Sequence, residues 1–479
     1  MAGSDDLVRL TARQALALLE RREVSPLELI DAALARIEAV DGAVNALPVR
    51  CPDRARAAAR RLMAAPSPER RRGWLGGLPL AIKDSMDVAG VRSTHGSPIY
   101  ADRVPGRSDL QVEALERNGG IVLARSNAPE FAAGANTFNP VFGKTRNPWN
   151  TALSCGGSSG GAAVALATGE VWLANGSDLG GSLRIPASFC SVVGLRPSPG
   201  LVPQGPEKHV YDGLAVAGPM ARTVGDLALM LDAMAAFDPR DPLSIEPPAE
   251  PFLDAVLAAS ARAPRRIGFS RDLGFLPVEP EVADLAAAAS RRFAERGAAV
   301  EEAGPDFSGT SEIFQTLRAV RFAANYAPLL AEHRDRLKPE MVWNIEKGLA
   351  LDGAAIGKAM RGRARLYERV AGFFADYDLL ATPAVIVPPF DVEQRYVQEA
   401  AGRRFDNYVD WLAMSYAVSL VGCPALSLPC GFTRAGLPVG LQLVGRPRGE
   451  AALLAAAALL EEQLGLAALL PIEPRSGQE

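Results

Sequence analysis

Polar and apolar positions along this chain alternate between short apolar runs and amphipathic stretches. Near the start, Ile30, Ala33, Leu34 and Ile37 fall on one face at helical spacing. They follow Ser25-Pro26 with Glu28, a capping box with proline at the first helical position. Thr11 and Gln14 form a similar box upstream, so the N-terminal part, about 1–65, reads as two helices. A loose Pro/Arg-rich stretch (66–72) leads to a short apolar strand over 78–82. Ser108 and Gln111 cap a predicted helix that stops at Gly119-Gly120 and feeds a strand over 121–124. A glycine-rich turn, a small-residue helix over 161–167 and an apolar segment over 171–174 repeat the alternation. Further on come a strand (266–270), a helix entered through Pro280 (281–296) and a strand (298–300). Segments 378–381, 425–428 and 439–444 and a terminal helix over 450–464 close the chain. Such alternation predicts an α/β layered fold with a mostly parallel or mixed sheet. Between about 305 and 375 the pattern is helical only, which predicts an insertion over one end of the sheet.

Length and charge narrow the class. At 479 residues the chain exceeds the ~250–300 residues of a single ordinary core, so it needs an elaborated core or two domains. Lys plus Arg number 51 against 55 Asp plus Glu, leaving no basic excess to neutralise phosphates, and no nucleic-acid partner is expected. The longest apolar run, 451–460, ends at Glu461-Glu462, well short of the ~20 residues a bilayer needs, and no membrane partner is expected. Asp5 and Asp6 stand where a signal peptide would be basic, and no apolar h-region follows. Cys51, Cys155, Cys190, Cys423 and Cys430 are odd in number and form no CxxC pair. They read as buried thiols in a reducing compartment, neither disulfides nor a zinc site, so the expected location is cytoplasmic.

Two scarcities bear on chemistry. There are three histidines (His95, His209, His333) and six lysines. A Ser-His-Asp arrangement therefore has no obvious supplier of imidazole, while a lysine in an apolar segment needs explaining. Lys83 closes the apolar run 78–82 and reads either as a strand-end lysine that snorkels to water or pairs with Asp84, or as a buried neutral base. In Ser154-Cys155-Gly156-Gly157-Ser158-Ser159-Gly160-Gly161, four glycines surround two serines and leave backbone N–H groups bare. A flexible linker and a functional loop are equally good readings of it, and the lysine and hydroxyl of a phosphate loop are missing. Ser177-Asp178-Leu179-Gly180-Gly181-Ser182-Leu183-Arg184-Ile185-Pro186 presents a serine after two glycines at a strand's exit. It is either a solvated turn or a nucleophile beside converging N–H groups. Together the three pieces contain the parts of a Ser-Ser-Lys relay, which needs no histidine.

These segments resemble the amidase signature family. The likeness runs from Lys83-Asp84 through Gly156 to Gly161, Ser177 to Cys190 and Val193-Gly194-Leu195-Arg196-Pro197. It continues over 212–222, Gly422-Cys423-Pro424-Ala425 and Gly436 to Gln442, and so spans most of the chain. The resemblance implies one catalytic domain over 1–479, with a signature core at about 75–235 and the helical insertion at about 305–375. It implies a large mixed sheet flanked by helices on both faces. By the same resemblance Ser182 is the nucleophile and Ser158 the bridging serine, on a cis peptide bond. Lys83 is the base, and the N–H groups of Leu179, Gly180, Gly181 and Ser182 form the oxyanion hole. Asp178 and Arg184 are expected to brace the turn as an ion pair, and Gly134 and Ala135 to touch substrate through their backbone. Departures from the family pattern are Ser177 for threonine, Ser85 for asparagine, Cys155 for proline and Arg196 for lysine; Cys155 adds a thiol that would make the site sensitive to thiol reagents. The expected activity is hydrolysis of a small-molecule carboxamide to an acid and ammonia or an amine, with no metal or organic cofactor and with a homodimer as a permitted assembly. The alternative is the glutaminase subunit of a tRNA-dependent amidotransferase, although 212–219 lacks the Ser-Leu-Asp-Gln run associated with that branch. Aromatics of the 305–420 region (Phe314, Phe322, Tyr326, Trp343, Tyr408, Trp411) read as ordinary core or as the walls of an apolar pocket.

Overall fold

The computed structural model describes residues 4–65, 71–205, 211 and 213–476. Most of the Pro/Arg-rich stretch, together with His209 and Asp212, lies outside the described residues. Eleven strands form one sheet: β1 (Val49–Arg50), β2 (Pro79–Lys83), β3 (Ile121–Ser126), β4 (Leu173–Asp178), β5 (Val193–Arg196), β6 (Val216–Ala221), β7 (Arg266–Phe269), β8 (Ala299–Glu302), β9 (Leu379–Pro383), β10 (Ala425–Phe432) and β11 (Pro438–Gly445). Their order is β1-β3-β2-β4-β6-β5-β10-β11-β9-β7-β8. β2 runs parallel to β3 and β4, and β7 runs parallel to β8 and β9. Every other pairing is antiparallel, which makes the sheet mixed. Every residue of β2 and β3 is buried, as continuous apolar strands covered on both faces should be.

The parallel pairing of β2 with β4 matters most for function. Leu80 faces Leu173 and Ala81 faces Ala174, so both strands leave the sheet at the same edge. Lys83 ends β2 there, and Ser177 and Asp178 end β4. In open α/β sheets, ligand crevices form outside the carboxyl ends of such strands. The Gly160–Thr168 helix follows the serine-glycine loop and packs against β4 and β6. Its entry is fixed by close backbone approach: a Cβ on Gly161 would lie 2.4 Å from Asn127 N and 2.6 Å from Ala46 O.

Several elements follow their sequence signals closely. Both N-terminal capping boxes close, Thr11 with Gln14 and Ser25 with Glu28. The terminal helix spans Glu450–Leu464, and the helical segment consists of Thr310–His333, Pro339–Leu349 and Gly353–Asp376. Other elements differ. The N-terminal part has Ser4–Arg9 and Pro52–Ala64 besides the two expected helices. The helix at 110 starts at Leu110 with Asp109 as its N-cap, because the Ser108 hydroxyl instead accepts the Ala89 N–H at 3.0 Å. The helix expected over 281–296 is α-helical only over Pro280–Arg291 and finishes as 3-10 helix, Arg292–Arg296. β5 and β6 are not legible as strands in the sequence. β5 has four residues, and β6 carries Pro219 inside a central position, where proline ordinarily argues against a strand.

Gly161→Ala should therefore lower stability by about 3 kcal/mol, the upper end of overpacking costs, because its methyl meets backbone that cannot step aside. Gly372→Ala, on the Gly353–Asp376 helix with open space around it, should raise stability by about 1 kcal/mol. Denaturant unfolding of the two variants tests both signs.

Candidate active site

Lys83 is fully buried at the end of β2, which overturns the snorkelling alternative. Its Nζ donates to Ser158 Oγ at 2.7 Å and to Ser159 Oγ and Ser177 Oγ at 3.0 Å each. Its own N–H is held by Asn175 Oδ1 at 2.9 Å. The neighbouring Asp84 carboxylate is taken up elsewhere, accepting from Thr94 N at 3.0 Å, Thr94 Oγ1 at 2.5 Å and Gly96 N at 3.1 Å. The Gly157–Ser158 peptide bond is cis, and Ser158 is buried. The sequence points to Lys83 and Ser158 but shows Ser177 only as a substitute for threonine; either residue offers the hydroxyl that Lys83 meets.

The turn that carries Ser182 is organised by one carboxylate. Asp178, completely buried, forms a two-point pair with Arg184: Nε to Oδ2 at 3.0 Å and Nη2 to Oδ1 at 2.8 Å. It also accepts the N–H of Gly181 at 2.9 Å and of Leu183 at 3.2 Å, and Arg196 Nη1 approaches its Oδ1 at 3.4 Å. Burial alone would raise this carboxyl, but Arg184, Arg196 and the Gly181 N–H hold it well below the usual carboxylate range. The Gly181 N–H is thus engaged by Asp178, unlike its expected place in an oxyanion hole. Among the described residues, no carbonyl or carboxylate takes the N–H of Leu179, Gly180 or Ser182. Beneath the turn, Leu183 sits in a hollow made by strand glycines. A Cβ on Gly176 or Gly218 would approach its side chain at 2.7–2.8 Å, and one on Gly194 would meet its carbonyl at 2.3 Å. Residues with side chains at these positions would push Ser182 out of place.

Ser158, Ser177 and Ser182 line one cavity of about 590 Å³. Tyr100, Phe131, Phe322 and Tyr326 form an aromatic part of its wall, with Phe131 and Tyr326 ring centroids 5.0 Å apart. Of the six aromatics the sequence flagged, Phe322 and Tyr326 thus face the cavity. Phe314, Tyr408 and Trp411 are buried in the core, and Trp343 stays partly exposed against Tyr408. Gly134 and Ala135 are not in the lining: Lys338 Nζ lies over Gly134, and Ala135 packs with the core that holds Ile185 and Phe189. Phe131 and Ala132 line it instead. His95 also reaches the cavity, with its Nε2 3.0 Å from Asp87 Oδ1 and its ring against Tyr100. Cys155 is sealed, and burial pushes its thiol up to about 12, so the expected sensitivity to thiol reagents is corrected. Among the described residues, no group of His, Cys, Asp and Glu is arranged to hold a metal ion, and no helix is long and apolar enough to cross a membrane.

A buried lysine among serine hydroxyls, a second serine on a glycine-bounded turn and unused backbone N–H groups are an arrangement able to support acyl transfer without histidine. The amidase family model matches residues 28–454, and the chain belongs to the amidase signature family, as a hydrolase acting on amide bonds. It is 36% identical to a glutamyl-tRNA(Gln) amidotransferase subunit from Moorella thermoacetica, covering 95% of this chain and 97% of that protein. It is 34% identical to an acylamidase of Rhodococcus erythropolis, over 94% and 95% of the two chains. Among solved structures, a bacterial aryl acylamidase of the same family superposes with a TM-score of 0.87 at 28% identity, over 97% of this chain and 99% of that one.

Arg184→Met should destabilise the fold by about 3–5 kcal/mol at neutral pH, because it leaves a buried carboxylate short of its main partner. Since the folded state holds Asp178 below its unfolded value of about 3.9, its contribution is present above that value and is lost as pH falls through the folded one. The stability gap between parent and variant should therefore be full at pH 7 and shrink as the pH is lowered below about 4, which urea titrations across pH can measure.

Proposed function

We propose that the chain hydrolyses a small-molecule carboxamide through an acyl-enzyme on Ser182, as one catalytic domain, with Ser158 and Lys83 as the proton relay. The observation that carries this is the 2.7 Å contact of the buried Lys83 Nζ with Ser158 Oγ, in the same cavity wall as Ser182. Ser182 Oγ attacks the carbonyl carbon while its proton passes to Ser158 Oγ, and the Ser158 proton passes to Lys83 Nζ. This first transfer requires the neutral amine. The developing oxyanion is held by the N–H groups of Leu179, Gly180 and Ser182. Collapse breaks the C–N bond, and the proton returns along the relay to the departing ammonia or amine. Water then takes the same route to release the acid. Asp178 and Arg184 act by fixing the turn. The aromatic wall supports an amide with a flat apolar substituent.

The 36% identity to an amidotransferase subunit favours a second reading, a glutaminase that works with partner chains. A chain that is inert on a broad panel of amides, yet releases ammonia from glutamine once a partner is added, would sink the stand-alone hydrolase.

Ser182→Ala and Lys83→Met should each lower kcat by at least about 10³-fold, since members of a covalent relay fail together. The double variant should lose little more than either single one. Ammonia or amine release measures this, and the parent should show an acyl adduct on Ser182 by mass spectrometry. Additive losses in the double variant would separate Lys83 from the relay.

A further inference from the structure

The aromatic wall rests on an unusual piece of backbone. Phe131 has φ 49° and ψ 28°, and Ala132 has φ 55°, so two consecutive non-glycine residues are left-handed where they line the cavity. For a bulky side chain this conformation is unfavourable, and it persists only where the surroundings over-determine it. Part of the hold is local, with the Phe131 N–H donating to His95 O at 2.8 Å and the Ala132 N–H to Pro129 O at 2.8 Å. The rest comes from one residue of the helical segment. The Lys338 N–H donates to Glu130 Oε2 at 2.9 Å, and its Nζ donates to the Ala133 carbonyl. Lys338 thus grips the residue before and the residue after the left-handed pair. Glu130 is anchored in turn by Ser97 Oγ at 2.8 Å. Lys338 is the N-cap residue of the Pro339–Leu349 helix, and Met341 and Ile345 of that helix pack in one cluster with Phe131 and Phe322.

We infer that Lys338 is a positioning residue for substrate affinity: it clamps the 130–133 turn so that Phe131 stands against Tyr326 and offers a ring wall to an aryl substituent of the amide. The inference rests on the amide-hydrolase reading of the cavity and adds the residue that holds its aromatic wall in place. The clamp touches none of the relay atoms, so its removal should act on binding and leave the chemical step alone.

The test uses the full chain and two amides that differ by a ring, acetanilide and acetamide. Lys338→Met should raise KM for acetanilide about tenfold, leave kcat within about twofold and leave KM for acetamide unchanged, and Lys338→Arg should recover most of the loss. In the Ser182→Ala background, where turnover is absent, calorimetry should show the same tenfold weakening of acetanilide binding. Turnover that survives Ser182→Ala would overturn the relay reading, while the binding comparison still judges the clamp. An equal fall in kcat on both amides, unchanged acetanilide affinity in Lys338→Met, or no acetanilide binding by the Ser182→Ala chain would overturn the inference. Should Lys338→Met fail to fold, Phe131→Leu decides, since it keeps the clamp and removes the ring. Selective weakening of acetanilide supports the inference, and no change overturns it.

Discussion

The buried Asp178 carboxylate is the contact on which the site's geometry depends. It joins the end of β4 to the turn before Ser182 through the Gly181 and Leu183 N–H groups, and to the next helix through Arg184. Arg184 continues the connection, with Nη1 donating to Gln442 Oε1 of β11 at 2.6 Å and to Ser415 O at 2.9 Å, and Nη2 to Ser419 Oγ at 2.8 Å. Arg196 on β5 closes the set by donating to the Asp178 carbonyl at 2.5 Å. One carboxylate and two guanidiniums thereby fix the Ser182 turn to both halves of an eleven-stranded sheet. Desolvating three charges is costly, and Arg196 Nε is buried without a hydrogen-bond partner, so the cluster is not built for stability alone. Its worth lies in geometry: on the proposed mechanism a carbonyl carbon must meet Ser182 and the N–H groups beside it within a fraction of an ångström.

Around Lys83 the logic is different. Its Nζ meets three serine hydroxyls, and a hydroxyl both donates and accepts through a rotating hydrogen. The same cluster can therefore solvate an ammonium by accepting from it and a neutral amine by donating to it. A carboxylate in their place would favour the charged form alone. In the proposed relay, a base that must gain and lose a proton in each cycle is better served by partners that can reverse their role.

Legibility in the sequence follows the range of the interaction concerned. Capping boxes, the terminal helix and the helical segment are local, and their residues can be read directly. The serines and Lys83 stand out because glycine-rich turns and a lysine in an apolar strand are uncommon, and the resemblance supplies their roles. What escapes depends on distant partners. Ser108 looks like a cap until Ala89, nineteen positions upstream, claims its hydroxyl. The Gly181 N–H looks available until Asp178 folds back on it. Gly134 and Ala135 are offered by the resemblance alone as the place where backbone meets substrate. The cavity instead takes Phe131 and Ala132, whose left-handed backbone leaves no trace in residue type. Cys155 looks reactive from its neighbours, whereas burial decides its chemistry.

The polar cluster and the aromatic wall of the cavity come from different parts of this fold. Lys83 and Ser177 stand at the carboxyl ends of β2 and β4, and Ser158 in the loop before the Gly160–Thr168 helix, all tied to the sheet. Much of the wall facing them comes from the Thr310–His333 helix, which supplies Phe322 and Tyr326, and from a turn that Lys338 holds. Phe131, Phe322 and Tyr326 pack together there, and ring packing tolerates changes of shape better than a hydrogen-bonded charge cluster does. Substitutions in the helical segment can therefore reshape the cavity while Asp178, Arg184 and Lys83 keep their partners. On that division, the sheet holds the Lys83–serine cluster and the Asp178 turn in place, and the helical segment shapes the cavity in front of them.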